Sequence, residues 1–150
     1  MTSNFIVHCP RCGAKNRIPK ARWGQKAVCG KCGSPLAPKG AFPEGAISVT
    51  DRSFKEEVTD FPGPVTLEFY SPTCGYSRKL APIMEEFVGR YAGRVKFARI
   101  DITTNRAIPS QYQITGTPTL IFFSSGRLVN RVNGFVPRNE IESRLNYLAG

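Results

Sequence analysis

Cys74-Gly75-Tyr76-Ser77 sets a thiol and a hydroxyl three positions apart, a spacing that puts both on one face of a helix. Two thiols at that spacing exchange disulfides. Here the second position is an alcohol, whose alkoxide is out of reach at neutral pH, so Ser77 cannot complete such an exchange. Its hydroxyl can still donate a hydrogen bond to a Cys74 thiolate. The other four cysteines, Cys9, Cys12, Cys29 and Cys32, form two C-x-x-C pairs separated by sixteen residues. Each pair presents two sulfurs from one tight turn. Two facing turns make a closed tetrahedral site that suits zinc and serves structure rather than catalysis. A single iron ion or two disulfides are the competing uses of the same sulfurs, and a reducing compartment disfavours the disulfides. His8 abuts Cys9, but four cysteines already fill such a site, so the imidazole is read as a bystander.

Around Cys74 the sequence supplies a strand, then a helix. The run "PVTLEFY" (64–70) is β-branched and aromatic, fit for a central strand. A helix over 74–92 follows, with Leu80, Ile83, Met84 and Phe87 on one face and a kink at Pro82. Cys74 therefore opens a helix, where unpaired backbone N–H groups favour a thiolate. Glu68 sits inside the apolar strand. It is either an outward-facing surface carboxylate or a buried one with a raised pKa, able to exchange protons near the sulfur. Arg99, between Ala98 and Ile100 on a neighbouring strand, is its charge partner in the buried reading.

The remaining elements alternate. "AISV" is a short strand, and Thr50 caps a helix that begins at Asp51 and runs through Phe54 and Val58. "RVKFARID" (94–101) is a strand and 104–112 a shorter helix. "PTLIFF" and "RLVNRVN" flank "SSG" as a hairpin, and a helix from about Arg138 turns Ile141, Leu145 and Leu148 inward. The order β-α-β-α-β-α-β-β-α implies an α/β domain with a mixed sheet covered by helices on both faces.

Three regions follow from composition: a zinc ribbon over 1–38, a linker over 39–46 and an α/β domain over 47–150. Pro38, Gly40, Pro43 and Gly45 punctuate the join. The ribbon has few apolar residues, Val7, Ile18, Trp23, Val28 and Leu36, so metal binding is expected to supply most of its folding free energy. Trp23 is read as packing over the ribbon. The net charge of +10 is uneven. Eight Lys or Arg and no acid lie in residues 1–40, against thirteen basic and eleven acidic residues in the rest. A basic ribbon invites nucleic acid, but no aromatic residues interleave with the basic ones, which argues against that partner. No signal-peptide pattern and no run of membrane-spanning length is present, so a cytoplasmic location without membrane contact is expected.

Residues 47–148 resemble a thioredoxin, and the whole chain resembles the bacterial thioredoxins that carry an N-terminal zinc ribbon. The segments that carry the likeness are "CPRCGAKNRIP" with "CGKCG", then "FYSPTCGYSRKLAPIMEEF", "TGTPTLIFF" and "GRLVNRVNGFVP". The resemblance implies the thioredoxin fold, a redox-active centre, electron transport to disulfide-containing client proteins, and a thioredoxin reductase-type reductant. It puts Cys74 at the nucleophile's position and Ser77 at the resolving one. Glu68 falls where the family has a buried Asp, and Arg99 where it commonly has a basic residue. Thr117-Pro118 falls on the cis-proline loop, though from sequence alone Pro118 could equally be a trans turn proline. Thr73, Gly75 and Tyr76, with Thr117, Pro118, Gly134 and Phe135, would line the substrate groove. The family's usual Trp is Thr73 here, and its usual Pro within the motif is Tyr76. The Thr-Cys-Gly-Tyr segment is similar to that of certain periplasmic disulfide isomerases, which implies a more oxidising site.

Ser77 leaves two readings. One is a replaced resolving cysteine in a dithiol enzyme, which captures a client as a mixed disulfide and does not release it. The other is a natural monothiol protein, since C-G-Y-S is close to the C-G-F-S of monothiol glutaredoxins, which use glutathione and share an iron–sulfur cluster; no glutathione-carboxylate motif accompanies it. A non-catalytic peptide-binding module is the reading from another class.

Overall fold

The structure is a computed structural model, and residues 4–22, 25–36 and 45–150 of the chain are described. Strands β1 (Asn4–His8) and β2 (Lys15–Pro19) pair antiparallel, as do the two-residue strands β3 (Ala27–Val28) and β4 (Pro35–Leu36). Together they make the ribbon. Trp23 and linker positions 39–44 lie outside the described residues. The larger sheet has the order β5-β7-β6-β8-β9, from β5 (Ile47–Val49), β6 (Pro64–Tyr70), β7 (Lys96–Asp101), β8 (Thr119–Ser124) and β9 (Arg127–Asn133). β5, β7 and β6 run parallel, while β8 and β9 are antiparallel to their neighbours. The mixed sheet is the one the element order implied.

Strand periodicity divides the core in two. Val65, Leu67 and Phe69 of β6 and Ala98 and Ile100 of β7 face one side, with Phe54, Val58 and Ile108. The opposite side receives Phe97, Leu120 and Phe122, under Leu80, Met84 and Phe87 of α1 (Gly75–Arg90) and Ile141 and Leu145 of α3 (Arg138–Ala149). By the same alternation Thr66 and Glu68 turn toward α1. Leu148 is half-buried rather than fully inside. The helix expected from Asp51 is shorter and wider than an α-helix. Residues Lys55–Thr59 wind as a π-helical turn whose N-cap is Phe54, with no side-chain cap. Thr50 does not cap it; its Oγ1 accepts the Ser53 N–H at 3.2 Å in the turn that precedes it. The short helix α2 (Ala107–Gln111) is capped by the Asp51 carboxylate, which accepts from the N–H groups of Arg106, Ala107 and Ile108. In the β8–β9 hairpin Gly126 has φ +79°, and a Cβ there would sit 2.3 Å from the Thr59 carbonyl oxygen, so only glycine fits.

The ribbon is docked on the larger domain rather than merely strung before it. Phe5, Ile6 and Val7 are all buried, consecutive positions that cover both faces of β1. The Phe5 ring meets Phe61 edge-on, with centroids 6.0 Å apart. Beside them Glu57, 1% exposed, receives the Lys96 ammonium at 2.8 Å and lies 3.1 Å from His8 Nε2. Arg17 adds a 2.7 Å ion pair to Glu56. His8 is therefore no ligand, as expected from the filled cysteine set, but it is not idle: it ties the ribbon to the domain. Val28, counted among the ribbon's apolar packing residues, is 65% exposed, because it and its partner Pro35 lie on the outer face of the ladder, opposite the buried Leu36.

Burial pushes the Glu57 carboxyl up, yet the hydrogen bond from His8 and the charge of Lys96 outweigh it and hold the group below the usual carboxylate range. Removing the carboxylate leaves Lys96, fully buried, with an uncompensated charge. Glu57→Ala is expected to cost roughly 3 kcal/mol in urea unfolding, as breaking one side of a buried pair does. A loss under about 1 kcal/mol, the size expected of surface pairs, would show that the network contributes no more than those do.

Candidate functional site

Cys74 lies at the C-terminal edge of the sheet, between the end of β6 and the first turn of α1. It caps the helix in extended conformation (φ −81°, ψ 122°), and its carbonyl accepts the Arg78 N–H at 3.1 Å. The thiol is partly exposed and donates to the Thr117 carbonyl oxygen at 3.4 Å. Thr117-Pro118 is a cis peptide, so the open choice between a cis and a trans proline falls to cis. The Gly134 N–H donates to the Pro118 carbonyl at 2.8 Å, which fixes the next loop beside it. That loop brings Phe135 to Tyr76, ring centroids 6.1 Å apart, and both rings are exposed. Thr73 and Gly75 flank the sulfur on the open side, with Thr73 Oγ1 held 3.1 Å from Ser71 Oγ.

The thiol is tuned. A side-chain hydrogen bond with Thr117, then hydrogen bonds from the Ser77 backbone N–H and hydroxyl, lower the Cys74 pKa to about 7. Carbamidomethylation of the Cys74 peptide, followed by mass spectrometry against pH, is therefore expected to reach half its maximal rate near pH 7. A midpoint at the ordinary value of 9.0 would show that the helix start leaves the sulfur untouched.

Ser77 is 2% exposed, and its Oγ accepts from the Ser71 N–H at 3.4 Å. Behind it, under α1, Glu68 is 1% exposed, which rules out the surface reading. Arg99 Nε donates to Glu68 Oε1 at 3.2 Å, while Oε2 has no hydrogen-bond partner among the described residues. Burial pushes the Glu68 carboxyl up, and the Arg99 charge offsets only part of the rise. A cavity of about 300 Å³ opens here, walled by Glu68, Arg99, Ser48, Met84, Glu85 and Val88. Among the described residues no hydrogen bond joins Glu68 to Cys74 or Ser77; the structure gathers Cys74, Thr117, Pro118, Tyr76 and Phe135 around one point and places the Glu68–Arg99 pair in the layer beneath. Sequence reasoning missed Ser71, whose backbone N–H donates to the Ser77 hydroxyl, and Tyr70, whose ring centroid lies 3.9 Å from the Arg99 guanidinium. Alternation along β6 turns Tyr70 to the same face as Glu68, and that was the available signal.

In the ribbon the four cysteine sulfurs all lie within 4.8 Å of one another. Cys9 to Cys32 is 3.7 Å and Cys12 to Cys29 is 3.6 Å. A tetrahedron with metal–sulfur bonds of about 2.3 Å has edges of about 3.8 Å, so the donor set fits one ion. Backbone N–H groups of Cys12 and Lys31 point at the sulfurs of Cys9 and Cys29, at 3.5 and 3.4 Å. Those donors stabilise thiolates in advance of any metal.

The comparisons with known proteins agree with this geometry. The family model described as Thioredoxin matches residues 45–147, and the one described as Thioredoxin 2, N-terminal, matches 8–34. Thioredoxin 1 of Nostoc sp. is 38% identical over 100 residues, covering 67% of this chain and 94% of its own length. Thioredoxin of Synechocystis sp. is 40% identical over 97 residues, 65% of this chain and 91% of the relative. Thioredoxin of Porphyra purpurea is 39% identical over 98 residues, 65% and 92% respectively. These relatives align with about two thirds of this chain.

Proposed function

The chain belongs to the thioredoxin family, an oxidoreductase family, and from that premise we propose that it captures protein disulfides through Cys74 and, with serine at position 77, holds them as mixed disulfides. The observation that carries the reading is the Cys74 thiol itself, at a helix start, 3.4 Å from the Thr117 carbonyl and with its pKa lowered to about 7.

Capture needs only what surrounds the sulfur. A client strand lies against Thr117-Pro118, pairing with the Thr117 backbone, while Tyr76 and Phe135 supply an apolar rim and Thr73, Gly75 and Gly134 leave room for it. The Cys74 thiolate attacks one client sulfur, and the other departs as a thiolate. Glu68, held protonated more readily than an ordinary carboxylate, exchanges protons beneath the site, with Arg99 limiting how far its pKa rises. In a dithiol chain residue 77 would then attack the mixed disulfide; Ser77 stops the reaction there.

Cys9, Cys12, Cys29 and Cys32 would hold zinc. Zinc with four thiolates keeps no open position, so its contribution is to folding. The division into ribbon 1–38, linker 39–46 and thioredoxin domain 47–150 is part of the same reading. Client proteins with disulfides and a reductase-type electron donor are the partners, and the cytoplasm is the proposed location. Among the described residues no helix is long and apolar enough to cross a membrane.

The test is incubation of the reduced chain with a disulfide-bonded peptide, followed by non-reducing mass spectrometry. A stable adduct on Cys74 is expected. Sustained turnover with glutathione would replace this reading with one-thiol chemistry, and an inert Cys74 would leave only binding.

A further inference from the structure

The charges that frame the groove are of one sign. The three segments that meet at Cys74, residues 71–77, 115–118 and 134–136, contain no Asp or Glu. The next two residues of α1 are Arg78 and Lys79, both exposed. Each has one contact on this side of the site. Arg78 Nε donates to the Pro72 carbonyl at 3.2 Å, which holds its guanidinium over the loop that delivers Cys74. Lys79 Nζ lies 5.5 Å from the centroid of the Tyr76 ring, the ring that forms the apolar rim.

Acids at this end of the sheet do not cancel these charges. Asp51 spends its carboxylate on three N–H groups of α2. The Asp101 carboxylate accepts the backbone N–H and the hydroxyl of Thr103, at 2.8 and 2.6 Å. Glu68 is buried beneath α1 beside Arg99. Farther off, the net charge of +10, concentrated in the first forty residues, adds a long-range field of the same sign.

We propose that the Cys74 groove prefers client disulfides flanked by aspartate or glutamate, with Arg78 and Lys79 setting that preference. This rests on the capture reading above and names its substrate class. The client it fits is an extended segment with a small or apolar residue against Tyr76 and Phe135 and a carboxylate within reach of the two cations. In the step itself a Cys74–S bond forms as the client S–S bond breaks. The bonding pair leaves on the second client sulfur, which takes a proton from water, so no oxidant or reductant is consumed. Rim charges of this kind act chiefly on the rate of encounter and fade with salt over a Debye length of about 10 Å at 0.1 M.

The experiment measures capture rates for three peptide disulfides that differ only in their flanks: Glu, Lys or uncharged. The Glu-flanked peptide is expected to react about tenfold faster than the Lys-flanked one at low salt, within the range electrostatic steering provides. The ratio should fall toward one at 1 M salt and collapse in the Arg78→Gln/Lys79→Gln chain, whose fold is checked by circular dichroism. Equal rates for the two charged peptides at low salt would overturn the proposal. So would a ratio that survives the double substitution, since the preference would then reside elsewhere, the ribbon included. If the double variant does not fold, the unmodified chain still decides through its charged-peptide ratio and salt dependence. Failure to capture even the uncharged peptide would sink the capture reading instead.

Discussion

Ser77→Cys is expected to convert a chain that ends as a client adduct into one that releases its client reduced. Position 77 is one helical turn from Cys74 on the same face, 2% exposed, and a thiol there has access to little but the Cys74 sulfur. The Ser71 N–H that now donates to the Ser77 hydroxyl would point at the new sulfur and favour its thiolate. In the absence of added reductant, the reduced variant and an oxidised peptide should yield free dithiol peptide and an internal disulfide between Cys74 and the introduced thiol. The chain with Ser77 should accumulate the mixed disulfide on Cys74 instead. Mass spectrometry distinguishes the two by a mass increase of the whole peptide against a loss of two hydrogens. The size of the change is the difference between one event per chain and continued cycling once a reductase is supplied. Persistent adduct in the Ser77→Cys chain would mean that position 77 cannot reach the bond, and the site would then not be a dithiol centre with one sulfur replaced.

Metal removal is the second large effect, and it should be uneven across the ribbon. Structural zinc in small thiolate modules supplies on the order of 10–16 kcal/mol. Against that, β3 and β4 contribute a two-residue ladder, with Val28 exposed. Residues 25–36 are thus expected to lose all hydrogen-exchange protection when a chelator strips the four sulfurs. The β1–β2 hairpin has other support: Phe5 on Phe61, and His8 and Lys15 at Glu57. It should keep part of its protection, while 45–150 remains folded around the core of Leu80, Phe87, Phe122 and Leu145, to which no described residue of the ribbon contributes. One metal per chain by native mass spectrometry, identified as zinc by elemental analysis, goes with this expectation. Unchanged protection over 25–36 after chelation would show that the sulfurs do not carry the ribbon.

The buried Glu57 network links the two regions and was not legible in the sequence. Lys96 falls inside the strand "RVKFARID", where an isolated Lys reads as solvent-facing. Its partner is 39 residues away and the histidine that joins them lies in the ribbon, 49 residues from Glu57. No periodicity reports a contact of that separation. The same holds for Phe5 and Ile6, which look like a strand with nothing to pack on until the larger domain is placed beside them.

By itself the sequence determined the elements and the chemistry: alternation in "PVTLEFY", the apolar stripe after Cys74, glycine in the hairpin turn, and four sulfurs at metal-binding spacing. These are local properties, read within a turn or a strand, and they were enough to place Cys74 at a helix start with Ser77 on the same face. Tertiary structure decided what depends on burial and on distant partners. It showed that Glu68 is inside rather than outside, that Thr117-Pro118 is cis and meets the thiol, that Asp51 is spent on α2, and that the ribbon is docked through His8 and Glu57. The physical reason is the same in each case. A side chain's charge state and role follow from the dielectric and the partners around it, and those are supplied by segments the local sequence does not contain.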